Sequence, residues 1–284
     1  MIQMKYNFAY FIASYGKPDN IMTLRQLQEL KVKYPIYIVV GKDDPKLAEY
    51  KTTYKDNLLV FDKLSYIDKI DDVGMYAETH KVCTYSRLAV QDFAKRLSVK
   101  YVCYMFDDIK YFQLRYISKD HTVKSIRKFD FDKMMDMYID LLKSSKDLII
   151  VGPPNSSFYI GVNSTHADKY STRYGNMFVY DTNNMPDVMR SSVLEDMDII
   201  LTNNKLGKMS ICPFGLQVCC RDSHATDDSY NGMTKLEFLQ HHVLLCQKPF
   251  SIDKPMIPYA NFTPKIISEK HRKTSTTHKH GRLI

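Results

Sequence analysis

The sequence predicts a mixed α/β fold, with a mainly parallel sheet and helices on its faces. Three observations carry that prediction. Short runs rich in Val, Ile, Tyr and Phe alternate with amphipathic segments through the first half of the chain. The most apolar of them, "YVCYMF" over 101–106, is unbroken, as a strand buried on both faces requires. The composition, 44% hydrophobic and 25% charged, is that of an ordinary globular chain.

Taken in order, "YNFAYFIAS" (6–14) reads as the first strand, followed by the loop "YGKPDN". Thr23 is placed to cap a helix through "LRQLQELK". "YPIYIVVG" (34–41) is the second strand, and "DDPKLAEYKTTY" opens with Asp and Pro, as helices often do. "NLLVFD" (57–62) is a third, short strand. After a loop holding Gly74, Val82, Tyr85, Leu88, Ala89, Phe93 and Leu97 fall at helical spacing within 78–97. The strand over 101–106 follows, then "YFQLRYI" (111–117) as a strand, 131–145 as a helix and "DLIIVGPP" (147–154) as a strand. "SFYIGVNS" and "GNMFVYDT" are short and β-like, and 191–207 turns helical at Glu195. "MSICPFGLQVCC" (209–220) reads as one strand interrupted by Pro213, and 233–247 as a final helix.

No internal repeat or Gly/Ser-rich linker divides the chain, so one domain over 1–262 and a flexible basic tail over 263–284 are expected. The formal net charge is +8. Half of it lies in the last 17 residues, where Lys270, Arg272, Lys273, Lys279 and Arg282 face only Glu269. Such a segment is attracted to polyanions. No run approaches the ~18 apolar residues of a membrane span, and the N-terminus reads as a strand and not as a secretory signal. The six Cys show no CxxC spacing and read as reduced thiols, neither a disulfide frame nor a zinc site. A cytoplasmic protein is expected.

The apolar strand ends on two adjacent carboxylates, Asp107 and Asp108. Side by side they repel unless a cation shares them, and the C-terminal end of a strand is where open α/β sheets bind ligands. Further acids stand after the second strand (Asp43, Asp44) and in "LEDMD" (Glu195, Asp196, Asp198), while Arg87 lies on the helix feeding the carboxylate strand. Each has a bland alternative. Asp43 can cap the helix at Pro45, Arg87 can pair with Asp92, and "LEDMD" can be a solvated helix face.

Together these motifs resemble the GT-A glycosyltransferases over roughly residues 6–225, in the order of motifs more than in a strict signature. The resemblance implies a Rossmann-type sheet, a nucleotide-sugar donor such as a UDP-sugar, and Mn²⁺ or Mg²⁺ held against its diphosphate. "FDDI" stands where that family has DxD, so Asp107 and Asp108 would hold the metal, with His224 completing its shell. Ser14, Lys17, Asp43, Asp44, Arg87 and Asp107 would bind the donor, and Asp196 or Glu195 would be the base. Within the family the chain is most similar to the group associated with phage DNA hypermodification, which implies DNA with a hydroxylated or hydroxymethylated pyrimidine as acceptor. A protein, lipid or polysaccharide acceptor is the alternative. A metal-dependent nuclease, with Pro18–Asp19 and Asp108–Ile109–Lys110 as its acid-x-Lys set, is a further one, as is a non-catalytic nucleic-acid binder, which leaves the carboxylate pair unexplained.

Overall fold

The computed structural model describes residues 5–70, 83–154, 169–170, 174, 176–185, 189, 195–213 and 215–220. In chain order the elements are β1 (Phe8–Ala13), α1 (Met22–Glu29), β2 (Ile36–Gly41), α2 (Leu47–Tyr54), β3 (Leu58–Phe61), α3 (Cys83–Arg96), β4 (Tyr101–Phe106) and β5 (Ile109–Ile117). They continue with β6 (Val123–Ile126), α4 (Phe131–Ser144), β7 (Leu148–Val151), β8 (Lys169–Tyr170), β9 (Met177–Asp181), α5 (Glu195–Lys205), β10 (Met209–Cys212) and β11 (Leu216–Cys220).

The large sheet has the order β3-β2-β1-β4-β9-β7-β10-β8. Neighbours from β3 to β4 pair in parallel, as do β7 and β10, whereas β9 runs antiparallel between β4 and β7. The mixed, mainly parallel sheet flanked by helices is therefore the architecture observed. Side chains alternate across it. Ala9, Phe11, Val102 and Tyr104 face a layer that includes Tyr85, Leu88 and Phe93 of α3 and Ile199 and Ile200 of α5. Tyr10, Ile12, Cys103 and Met105 face Leu27 of α1, Tyr50 of α2 and Phe131, Met135, Tyr138 and Ile139 of α4. Burial on both faces is what makes β1 and β4 continuous apolar runs.

Two expectations are corrected. Thr23 is not a cap: α1 begins at Met22 after Ile21, and the Thr23 side chain reaches away from its own helix. The segment 209–220 is not one interrupted strand. Pro213, which has no N–H to continue a ladder, stands where the chain leaves the large sheet, so β10 pairs with β7 while β11 joins a separate sheet of order β11-β5-β6. The Gly74 loop, "SFYIGVNS", the helix over 233–247, His224 and the tail lie outside the described residues. Among the described residues, no helix is long and apolar enough to cross a membrane, and the five cysteines there are free.

Candidate active site

Strands β1, β2 and β3 run outward in one direction, and the chain then returns through α3 to place β4 on the other side of β1. The crevice beyond the C-terminal ends of β1 and β4 is thus a topological switch point, the place where open α/β sheets take their ligands. Ser14 follows β1 there, and Asp107 and Asp108 follow β4.

A chain of hydroxyls ties this edge together. Ser14 Oγ donates to Asp107 Oδ2 at 2.8 Å, which uses its proton. The 2.7 Å contact between Ser14 Oγ and the Tyr50 hydroxyl is then a donation by Tyr50, which in turn accepts from the Lys17 backbone N–H at 2.9 Å. Burial raises the Tyr50 hydroxyl to about 12, so it keeps the proton it donates. The Lys17 ammonium lies 3.6 Å from Asp107 Oδ1. Ser14 and Lys17, both from the loop after β1, therefore fix one carboxylate, and Tyr50 of α2 holds that loop in place.

The turn bearing the acids is held by Thr23. Its hydroxyl donates to the Phe106 carbonyl at 2.5 Å and accepts from the Ile109 N–H at 3.0 Å, bridging both ends of Asp107–Asp108. Thr23→Val keeps the shape and removes both bonds, leaving buried backbone groups unsatisfied. The expected cost is about 1–3 kcal/mol, seen as a fall in Tm of several degrees in a thermal melt.

Asp108 is mostly buried, and its Oδ1 has no hydrogen-bond partner. Burial and then the neighbouring Asp107 push its carboxyl above the usual value, against a hydrogen bond from Asn176 and the charge of Lys17. A buried acceptor without a donor beside a second carboxylate suits a hard divalent cation, which binds oxygen ligands. Among the described residues, no cluster of three His, Cys, Asp or Glu side chains is assembled. Asp107 and Asp108 therefore fit as two ligands of such a cation.

The acids after β2 divide their work. Asp44 accepts from the Gly16 N–H at 2.7 Å and from the Lys46 N–H at 2.8 Å, locking the β1 loop to the start of α2. Gly16 can present that N–H because it sits at φ +67°. Asp43 does not cap α2, whose first residues show no side-chain cap. It pairs with Lys63 and is half-exposed beside the crevice. A side chain at Gly41 would come within 2.6 Å of Asp43 Oδ1, so the exit of β2 is fitted to this carboxylate.

Arg87 does not pair with Asp92, which faces Lys69. Its Nη2 meets Glu195 Oε1 at 2.7 Å, both groups being almost fully buried, and its guanidinium lies over the rings of Tyr104, Phe106 and Phe178. Burial, and then the Glu195 carboxylate, push the Cys83 thiol well up, so it stays protonated and donates to the same oxygen at 2.9 Å. Two residues singled out separately in the sequence thus meet as one buried pair joining α3 to α5. Breaking such a pair strands a charge. Arg87→Met is expected to cost about 3 kcal/mol in urea unfolding, and Arg87→Met with Glu195→Met to recover most of it. A mild effect of the single change would remove this assignment. Asp196, also buried, lies next along the first turn of α5.

Nothing local marks Thr23 as a brace, the Tyr50 hydroxyl as part of the site, or Asn176 as a neighbour of Asp108. Tyr50 looks like any core aromatic, and Asn176 stands just before β9, in a segment remote in the chain.

A family model described as TET-Associated Glycosyltransferase matches residues 8–215. Among solved structures, glucosyl-3-phosphoglycerate synthase from Mycobacterium tuberculosis is similar at a TM-score of 0.48 and 8% identity, over 86% of this chain and 82% of that one. The same enzyme in complex with Mg²⁺ and uridine-diphosphate gives 0.42 and 8%, over 76% and 70%. S. aureus TarS 1–349 gives 0.38 and 15%, over 94% and 72%. No curated protein matches the chain.

Proposed function

This chain belongs to the TET-associated glycosyltransferase family, and on that premise we propose that it moves a sugar from a UDP-sugar to a hydroxyl on a modified pyrimidine of DNA. The observation that carries the donor half is the carboxylate pair at the switch point, with the buried Asp108 Oδ1 lacking a partner. The family's stated association with TET supports a modified base as acceptor.

Asp107 and Asp108 would hold Mn²⁺ or Mg²⁺. Bound there, the cation supplies charge neutralisation to the diphosphate and stabilises it on departure. Asp107 is pre-set for this by Ser14 and Lys17, so its geometry needs little adjustment on binding. Lys17 also brings a positive charge to the diphosphate side. Asp43, half-exposed beyond β2, is the better placed of its pair to accept a hydrogen bond from the uracil, since both Asp44 oxygens already serve backbone N–H groups. Transfer forms a bond from the acceptor oxygen to the anomeric carbon and breaks the bond from that carbon to the diphosphate. The acceptor's proton goes to Asp196 as general base. Glu195, engaged by Arg87 and Cys83, anchors the turn that carries it. A nuclease reading has no support from the family.

The test offers UDP-sugars and Mn²⁺ with DNA containing 5-hydroxymethylcytosine, 5-hydroxycytosine or cytosine, and looks for a hexose or pentose mass on the digested nucleosides. Transfer to a modified base alone is the expected result. Activity on a protein or glycan acceptor with none on any DNA would overturn the acceptor.

A further inference from the structure

Strands β5 and β6 form an antiparallel hairpin closed by the loop 118–122, its root held by the pairing of β5 with β11 from Ile109 to Leu114. Residues 109–128 carry Lys110, Arg115, Lys119, Lys124, Arg127 and Lys128 against one acid, Asp120, which pairs with Lys124 at 3.5 Å. Lys110, Lys119, Lys124, Arg127 and Lys128 are exposed. The hairpin is thus the densest block of positive charge among the described residues, and it is continuous with the active site. β5 begins at Ile109, the residue after Asp108, and its nine residues span roughly 30 Å at ~3.3 Å per residue, the last three beyond the pairing with β11.

We propose that this hairpin is the surface that grips the acceptor nucleic acid, running along the phosphate backbone and delivering the strand to Asp107 and Asp108. The proposal rests on DNA being the acceptor. Charge complementarity selects the occupant: a ladder of separated cations matches a polymer with one negative charge per nucleotide. The Arg127 guanidinium stacks on the Tyr111 ring at 3.7 Å, which pre-orders one of those cations. Tyr116, 42% exposed and opposite Lys124 in the ladder, offers a ring face to an unpaired base. An anionic membrane is the less suitable partner. The exposed apolar side chains do not gather on one side, because Tyr116 and Ile126 share one face with Leu114 while Ile117 lies on the other. At ~3.4 Å per nucleotide along one strand of a duplex, the reach of β5 corresponds to about eight or nine nucleotides beyond the reacting base. The hairpin therefore acts on long acceptors and not on short ones.

The experiment compares the wild-type chain with the triple variant Lys119→Gln, Arg127→Gln, Lys128→Gln, which leaves the donor site intact. Binding to a 20-nucleotide DNA is measured by fluorescence anisotropy across salt concentrations, alongside transfer to that DNA and to a modified trinucleotide. In the variant the slope of log K against log salt is expected to flatten by about 2 to 3, near 0.7 for each phosphate contact removed on a single strand and near 0.9 on a duplex. Affinity should fall more than about tenfold. KM for the long acceptor rises while kcat, transfer to the trinucleotide and hydrolysis of the UDP-sugar stay unchanged. An unchanged salt slope and affinity overturns the hairpin as the gripping surface. So does loss of binding only to phosphatidylglycerol vesicles. If wild-type protein transfers sugar to no modified DNA, the acceptor reading fails separately, on a measurement that does not involve the variant.

Discussion

Asp108→Asn is expected to reduce transfer by about a thousandfold or more and to erase the metal-dependent rise in Tm on adding UDP. The size follows from losing a charged ligand to the group that stabilises the departing diphosphate, a contribution of several kcal/mol. Without metal, stability should change in the opposite direction. In the wild-type protein burial and Asp107 raise the Asp108 carboxyl above its unfolded value, so the folded state binds more protons than the unfolded one in that range. Stability from this group is therefore present at low pH and lost as pH rises from about 3.8 through the higher folded value. Asn carries no charge to bury, so the variant should be as stable as wild type or more so at neutral pH, with a flatter acid profile. Thermal melts with UDP, in Mn²⁺ and in EDTA, read both effects. Equal stabilisation by UDP in EDTA would count against the metal site.

Asp196→Asn is expected to remove transfer, by about 10²- to 10⁴-fold, while leaving UDP binding in Mn²⁺ intact. The separation arises because a base acts on the acceptor hydroxyl and makes no contact with the diphosphate. Glu195→Gln should behave differently. It weakens the pair with Arg87, so its first symptom is a lower midpoint in urea, and its catalytic loss follows from a loosened first turn of α5. Isothermal titration for UDP and a mass assay for product distinguish the two. A fully active Asp196→Asn enzyme moves the base elsewhere.

The strand–helix alternation was legible because it is written locally. β1, β2 and β4 are apolar runs, and the faces of α3 and α4 repeat at helical spacing. The carboxylates at the exit of β4 were legible for the same reason, since a charge pair ending a buried strand stands out in any window. What connects distant segments was not legible. Thr23 has the residue type of a cap, and only the fold shows that its hydroxyl serves β4 and β5 instead. Arg87 and Glu195 are each an ordinary charged helical residue until α3 and α5 are laid on one face of the sheet. Pro213 was seen as an interruption, but a break within one strand and a crossing between two sheets look identical in sequence. The antiparallel placement of β9 carries no local mark at all.

That placement sets the order in which the protein can be made. β4 is hydrogen-bonded to β1 along one edge and to β9 along the other, through pairs from Tyr101–Asp181 to Met105–Met177. While the ribosome has released residues up to 106 but not yet 177–181, one side of the most apolar strand is an open edge, the kind that recruits other chains. The gap of some seventy residues takes several seconds to synthesise at ~5–20 residues per second. A chain cut within that interval would therefore aggregate and would not form a stable half-protein.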